Sequence, residues 1–95
     1  MIEVRQTEVF KAWFAGPRDR QARARIRVRV DRLSLGNPSD VKPVGSGVSE
    51  MRINYGPGYR LYFVSRGKTV VILLCGHKRS QDRDIAQAIE LAQTV

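Results

Sequence analysis

Cysteine, histidine and long apolar runs are all scarce in this sequence. Cys75 is the only cysteine, so an internal disulfide is excluded. Inside an apolar run a free thiol behaves as a small hydrophobe. A chain without a disulfide framework fits a reducing compartment, and the expected location is the cytoplasm. The longest apolar run, Val70 to Cys75, falls far short of the roughly 20 residues that cross a bilayer. The opening Met1-Ile2-Glu3-Val4-Arg5 lacks the apolar stretch of a signal peptide, and no membrane partner is expected. With one His, one Cys and scattered carboxylates there is no metal-ligand spacing, so no metal and no other cofactor is expected. Acidic residues are also few: 9 Asp and Glu stand against 17 Lys and Arg, for a net charge of +8.

What is present is arginine, which dominates the basic set. Its planar fork donates two parallel hydrogen bonds to a phosphate. The 95 residues fit one domain, 1–95, because domains typically run to roughly 100–150 residues. A chain this short builds one small core and leaves no room for a separate cofactor domain. At 42% apolar residues it is not a disordered basic tail.

Met1 to Arg5 alternates and reads as a short strand. Thr7 is placed to cap a helix that buries Phe10, Trp13 and Phe14 at i, i+3 and i+4. Gly16-Pro17 ends it, with Gly16 expected to supply a left-handed cap. From Arg18 to Ser34 two periods compete. Ala22 to Val30 alternates like a strand, yet 17 residues are too many for an ordinary strand. Ala22, Ile26, Val30 and Leu33 line one helical stripe, and a helix is expected, forming a hairpin with the first. Leu35 to Gly47, with its Gly, Asn and Pro, reads as loop. Val48 to Asn54, Tyr59 to Ser65 and Thr69 to Cys75 read as strands, the last covered on both sides. Ser80 then opens a helix whose apolar stripe is Ile85, Ala88, Ile89 and Ala92. The order β-α-α-β-β-β-α is an α+β fold, a mostly antiparallel sheet with helices packed on one side.

Three stretches could carry chemistry. If Met51, Ile53, Leu61 and Phe63 face the core, for instance with Ile53 opposite Leu61, then Arg52, Arg60 and Tyr62 share the other face. Two guanidinium groups there repel unless an anion lies between them, so the face is either a phosphate-binding floor or an ordinary solvated surface. Gly76-His77-Lys78-Arg79-Ser80 sets a His and two cations between a strand end and a helix start, where loops often carry function. Histidine is the side-chain type whose ordinary titration lies near neutrality, so His77 is either a general acid or base or a surface residue without a task. Between Arg18 and Ser34 lie seven Arg and two Asp. That face is either solvated or docked on phosphates or an acidic protein.

The residues Gly36-Asn37, Lys42-Pro43-Val44-Gly45-Ser46-Gly47-Val48-Ser49-Glu50-Met51-Arg52-Ile53 and Gly56-Pro57-Gly58-Tyr59-Arg60-Leu61-Tyr62-Phe63 resemble the RelE/ParE toxin superfamily. Within it the chain is most similar to the HigB-like addiction module killer proteins of type II toxin–antitoxin systems. The stretch Leu73 to Gln81 with Asp84-Ile85 is similar to that group's strand-to-helix signature. The resemblance implies two N-terminal helices on a curved, mostly antiparallel four-stranded sheet with a C-terminal helix. It further implies a toxin whose RelE-like members are metal-independent mRNA endonucleases that act in the ribosomal A site and stop translation. There the RNA's own 2′-hydroxyl attacks the adjacent phosphate, and Arg and Lys on the sheet stabilise the added charge.

Arg60 matches the arginine of the Gly-Tyr-Arg motif, Arg52 that of the preceding strand, and Lys78 a basic residue after the glycine. The family's strand lysines align with Val48 and Glu50, and its C-terminal tyrosine falls near Asp84. The expectation is a toxin with Arg60, Arg52, His77 and Lys78 as catalytic residues. Arg79, Lys42, Arg23, Arg25, Arg27 and Arg29 would contact nucleic acid. The partners implied are a cognate antitoxin, ribosome and mRNA, and operator DNA through the toxin–antitoxin complex. The alternative is a binding protein, either a ParE-like poison of DNA gyrase or a degenerate toxin that binds antitoxin and operator.

Overall fold

The computed structural model describes residues 2–16, 19–38 and 40–95. Pro17 and Arg18, expected in the first turn and at the start of the second helix, lie outside them, as do Met1 and Ser39. The chain runs β1 (Glu3–Gln6), α1 (Glu8–Ala15), α2 (Arg20–Ser34), β2 (Val41–Gly45), β3 (Val48–Ile53), β4 (Tyr59–Arg66), β5 (Thr69–His77), a 3-10 turn (Lys78–Ser80) and α3 (Gln81–Ala92).

Thr7 caps α1 as its hydroxyl chemistry suggests. Its Oγ1 accepts from Phe10 N at 3.1 Å and also donates to the Leu73 carbonyl of β5. One hydroxyl thus starts the helix and ties it to the sheet. Thr7→Ala is expected to lower stability by about 1–2 kcal/mol, read as a shifted urea midpoint with an unchanged slope. Gly16 ends α1 differently from the expectation. Its φ of −64° and ψ of 160° are extended, not left-handed, because a residue before proline is pushed out of the helical region. The helix expectation holds for the alternating segment: Ala22 to Val30 lies wholly within α2, capped by Asp19, whose carboxylate accepts from Gln21 N and Ala22 N. Its Ala22, Ile26 and Leu33 are buried.

The sheet order is β1-β5-β4-β3-β2, with β1 parallel to β5 and the other neighbours antiparallel. The class is α+β as expected, but there is one strand more. β2 lies in the segment read as loop. Val41 and Val44 are its half-buried positions, and Pro43 is tolerated because β2 is an edge strand. Gly45, Ser46 and Gly47 all have positive φ and turn the chain tightly into β3.

Helices cover both faces rather than one. On one side Phe10 of α1 and Ala22, Ile26 and Leu33 of α2 pack on Met51, Ile53, Leu61, Phe63 and Ile72. On the other, Ala88 and Ala92 of α3 pack on Val48, Tyr62, Val64, Leu73 and Leu74. The apolar run in β5 already required two covers, since a strand without a polar face must be buried on each side. A register shift sets Tyr62 opposite Leu74 and Phe63 opposite Ile72. Leu73 is therefore the extra residue of a bulge, and it joins Leu74 on the α3 side. In the β3–β4 hairpin Met51 pairs with Leu61 and Ile53 with Tyr59. That register is two residues away from the Ile53–Leu61 pairing, and it preserves the face of every side chain.

Candidate nucleic-acid interface

Arg52 and Arg60 are direct partners across β3 and β4. Both lie on the α3 side, opposite Met51, Ile53, Leu61 and Phe63. The anion between them comes from the chain itself. Glu50 stands two residues before Arg52, so strand alternation puts it on the same face, and it is 0% exposed. Its Oε1 lies 3.7 Å from Arg52 Nε and 4.0 Å from Arg60 Nε. Its Oε2 accepts from Tyr62 Oη at 3.2 Å and from Gln81 Nε2, at the start of α3, at 2.7 Å. Oε2 is thus well satisfied. Oε1 and Arg60 Nε face each other at ion-pair distance without a hydrogen bond. Burial first, and the Glu50 charge second, push the Tyr62 phenol well above its ordinary range, so it remains a hydrogen-bond donor. Tyr62 shares the face with the arginines, as the alternation predicts, but is buried beneath α3.

Exposure grades the cations. The Arg60 side chain is 11% exposed and that of Arg52 is 40% exposed. Lys42 of β2 is exposed and is the cross-strand partner of Glu50. Lys78 is exposed on the 3-10 turn. Both Lys78 and Arg60 border Gly58: a Cβ on Gly58 would sit 3.4 Å from Lys78 Cβ and 3.7 Å from Arg60 Nη1. With a φ of +78° there, only glycine takes this conformation without strain. Arg52 and Arg60 therefore meet one buried carboxylate, with Lys42 as its cross-strand partner and the Lys78 stem beside Gly58 and Arg60 Nη1.

His77 is not among them. It pairs with Tyr59 across β4 and β5, and its ring meets the Tyr59 ring edge-on at 5.2 Å. Tyr59 in turn meets Trp13 of α1 at 5.8 Å. Gly76, one residue earlier, faces Asp84 of α3, so alternation turns His77 toward the α1 side. The arginines and the histidine occupy opposite faces of the sheet. Arg79 lines an open pocket of about 410 Å³ with His77, Ser80, Asp82 and Arg83. Ser80 starts α3, yet its hydroxyl does not cap the helix. It donates to the buried Asp84 carboxylate instead.

The α2 arginines are held by aromatic rings from other elements. Arg23 and Arg27 lie 5.1 and 5.7 Å from the Phe14 ring centre, and Arg25 lies 4.7 Å from that of Tyr55. Arg29 Nη1 donates to the Arg52 carbonyl at 2.7 Å, and burial lowers its pKa from the ordinary guanidinium value. Tyr55 Oη donates to Asp19 Oδ2 at 2.6 Å. That bond, then the Gln21 N–H, lowers the Asp19 pKa, and it raises that of Tyr55. A depressed carboxylate stabilises the fold above its unfolded pKa and loses this contribution as pH falls through the folded value. Tyr55→Phe is therefore expected to lower the melting temperature slightly at neutral pH. The gap to wild type should close as pH drops below the ordinary aspartate value of 3.8.

A family model described as "Phage derived protein Gp49-like (DUF891)" matches residues 16–95. The chain belongs to the Gp49-like family. This family is related to the RelE and HigB toxins, in line with the resemblance carried by Lys42 to Phe63. The Gp49-like chain is 43% identical over 93 residues to an uncharacterized protein of Haemophilus influenzae, covering 97% of this chain and 94% of that one. Among solved structures it matches the solution structure of a conserved hypothetical protein from Helicobacter pylori. The TM-score is 0.49 and the identity 15%, over 83% of this chain and 97% of that one. Every residue of the carboxylate-centred cluster lies inside the family match. Among the described residues no group of three or more His, Cys, Asp or Glu comes together, and no helix is long and apolar enough to cross a membrane.

Proposed function

We propose that this Gp49-like chain is the toxin of a type II toxin–antitoxin pair and acts in the cytoplasm as an endoribonuclease on ribosome-bound mRNA. The observation that carries the reading is the side-by-side placement of Arg52 and Arg60 on one sheet face, with Lys42 and Lys78 at its rim. Preorganised donors of this kind stabilise charge that develops on a phosphate in the transition state. The RNA's 2′-hydroxyl would attack the neighbouring phosphorus, forming the P–O2′ bond as the P–O5′ bond breaks. The hydroxyl gives up its proton and the 5′-oxygen gains one. Lys78, whose stem borders Gly58 near Arg60 Nη1, would supply the proton-bearing group, since His77 points to the other face. The arginines of α2, fixed on Phe14 and Tyr55, would grip ribosomal RNA. An acidic antitoxin would cover the basic surface and let go as salt rises, because exposed charges are screened over about 10 Å at 0.1 M salt.

The test is the purified chain added to ribosomes programmed with a defined message. The message is expected to be cut when ribosomes are present and to stay whole without them. Arg52→Ala should slow the cutting by about 10²–10³. A second reading, a ParE-like gyrase poison or a non-catalytic binder of antitoxin and operator DNA, is favoured by one observation. The His77 ring packs on Tyr59, on the far side of the sheet from the arginines. An intact message on programmed ribosomes, together with inhibition of gyrase supercoiling, would establish the gyrase form of that reading.

A further inference from the structure

We infer that Glu50 is a built-in counter-anion: it holds the Arg52 and Arg60 guanidinium groups between turnovers and sets how tightly the site takes a nucleic-acid phosphate. The inference rests on the reading of this face as a phosphate floor, and its test needs neither ribosome nor cleavage.

A wholly buried carboxylate among basic residues has two physical roles open to it. It can position the arginines permanently, or it can stand in for a ligand anion until one arrives. The two oxygens of Glu50 divide these roles. Oε2 is anchored by the Tyr62 hydroxyl and the Gln81 amide, neutral donors that keep the carboxylate in place whatever the arginines do. Oε1 is held only by charge. Arg52 Nε stands 3.7 Å away and Arg60 Nε 4.0 Å away, and neither Oε1 nor Arg60 Nε makes a hydrogen bond. Such long contacts leave hydrogen-bonding capacity unused at the point where two cations meet. A phosphodiester oxygen arriving beside Arg52, whose side chain is 40% exposed, can accept at short range from guanidinium N–H donors that Oε1 meets only at long range. Glu50 keeps its anchors as the guanidinium groups turn outward. The carboxylate thus prevents the two arginines from repelling each other in the empty site, and it lowers the site's affinity for every incoming anion. Lys42, its cross-strand partner, remains to balance its charge when the arginines engage RNA.

The experiment measures binding of a short RNA hexamer with 2′-O-methyl sugars, which cannot be cleaved by 2′-hydroxyl attack, as a function of salt. The proteins compared are wild type, Glu50→Gln and Glu8→Gln. Glutamine keeps the shape and the Tyr62 and Gln81 contacts while removing the charge. Glu8, exposed in α1, controls for the change in net charge alone. Glu50→Gln is expected to bind at least about tenfold more tightly, since it removes a charge about 4 Å from each arginine. Its log K against log salt slope should steepen by about 0.7, the value for one further phosphate neutralised on a single strand. Glu8→Gln should stay within about twofold of wild type. Equal or weaker binding by folded Glu50→Gln, an equal gain in Glu8→Gln, or binding to none of the three would overturn the inference. If Glu50→Gln does not fold, wild type decides by NMR. Saturating hexamer should shift the Arg52 and Arg60 guanidinium signals while the Gln81 side-chain amide stays bonded to Glu50, and guanidinium signals that do not move, or a Gln81 amide released from Glu50, contradict the inference. Loss of mRNA cutting with this binding pattern intact would remove the nuclease reading and leave the counter-anion standing.

Discussion

Gly76→Ala is expected to destabilise the protein by about 3–5 kcal/mol. A Cβ at this position would overlap Asp84 Oδ2 and lie 2.8 Å from Asp84 Cγ and 3.1 Å from Ser80 Oγ. Asp84 is buried and bound to the Ser80 hydroxyl, so it cannot step aside without losing that partner in a dry environment. Overpacking alone costs about 1–3 kcal/mol, and a buried carboxylate stripped of its partners adds to it. A domain of this size loses about 4–8 °C of melting temperature per kcal/mol, so the fall should exceed about 12 °C. Adding Asp84→Ala to Gly76→Ala should recover part of the loss, as expected for sites in contact. Burial chiefly, and the Asp84 charge next, push the Cys75 thiol far above its ordinary range. The thiol should therefore resist alkylation in wild type and react once Gly76→Ala loosens α3.

Arg60→Ala should reduce mRNA cutting by about 10²–10³, the usual cost of removing one donor to a developing charge. It should also lower stability by about 3 kcal/mol, because a buried carboxylate that loses one of its two cations is left under-compensated. Glu50 would then have one guanidinium in place of two. The effects separate in Arg60→Ala combined with Glu50→Gln, which should regain most of the stability and none of the activity. Arg60→Lys should retain the charge and still cut poorly, since an ammonium cannot reproduce the planar fork. Urea unfolding and a single-turnover cleavage assay on the same preparations give both quantities.

Much of the architecture was legible because it depends on short-range pattern. Thr7, the Phe10-Trp13-Phe14 spacing and the Ala22-Ile26-Leu33 stripe specify two helices. The helical period outweighed the alternation of Ala22 to Val30 because only a helix buries Ala22, Ile26 and Leu33 together. β2 was hidden because its Pro43 and the Gly45-Ser46-Gly47 turn carry loop chemistry, while its strand character comes from pairing with β3. The face of Arg52 and Arg60 followed from parity. The same parity, taken two residues back, places Glu50 beside them, and this is the signal that a list of cations overlooks. Gln81 carries no such signal, since its contact with Glu50 depends on where α3 lands. His77 stands one residue past the partner of Arg60. Sequence proximity to Lys78 suggested a shared site, whereas strand alternation turns it to the other face. The stacking of Arg23, Arg25 and Arg27 on Phe14 and Tyr55 joins segments that no local spacing connects.

Mapping transcript 5′ ends across the cell after brief induction of the protein decides whether the chain cuts translated mRNA. New ends are expected within translated reading frames, absent from untranslated RNA, and lost when Arg52→Ala is induced to the same level. Transcripts that stay intact while DNA replication stops would contradict it.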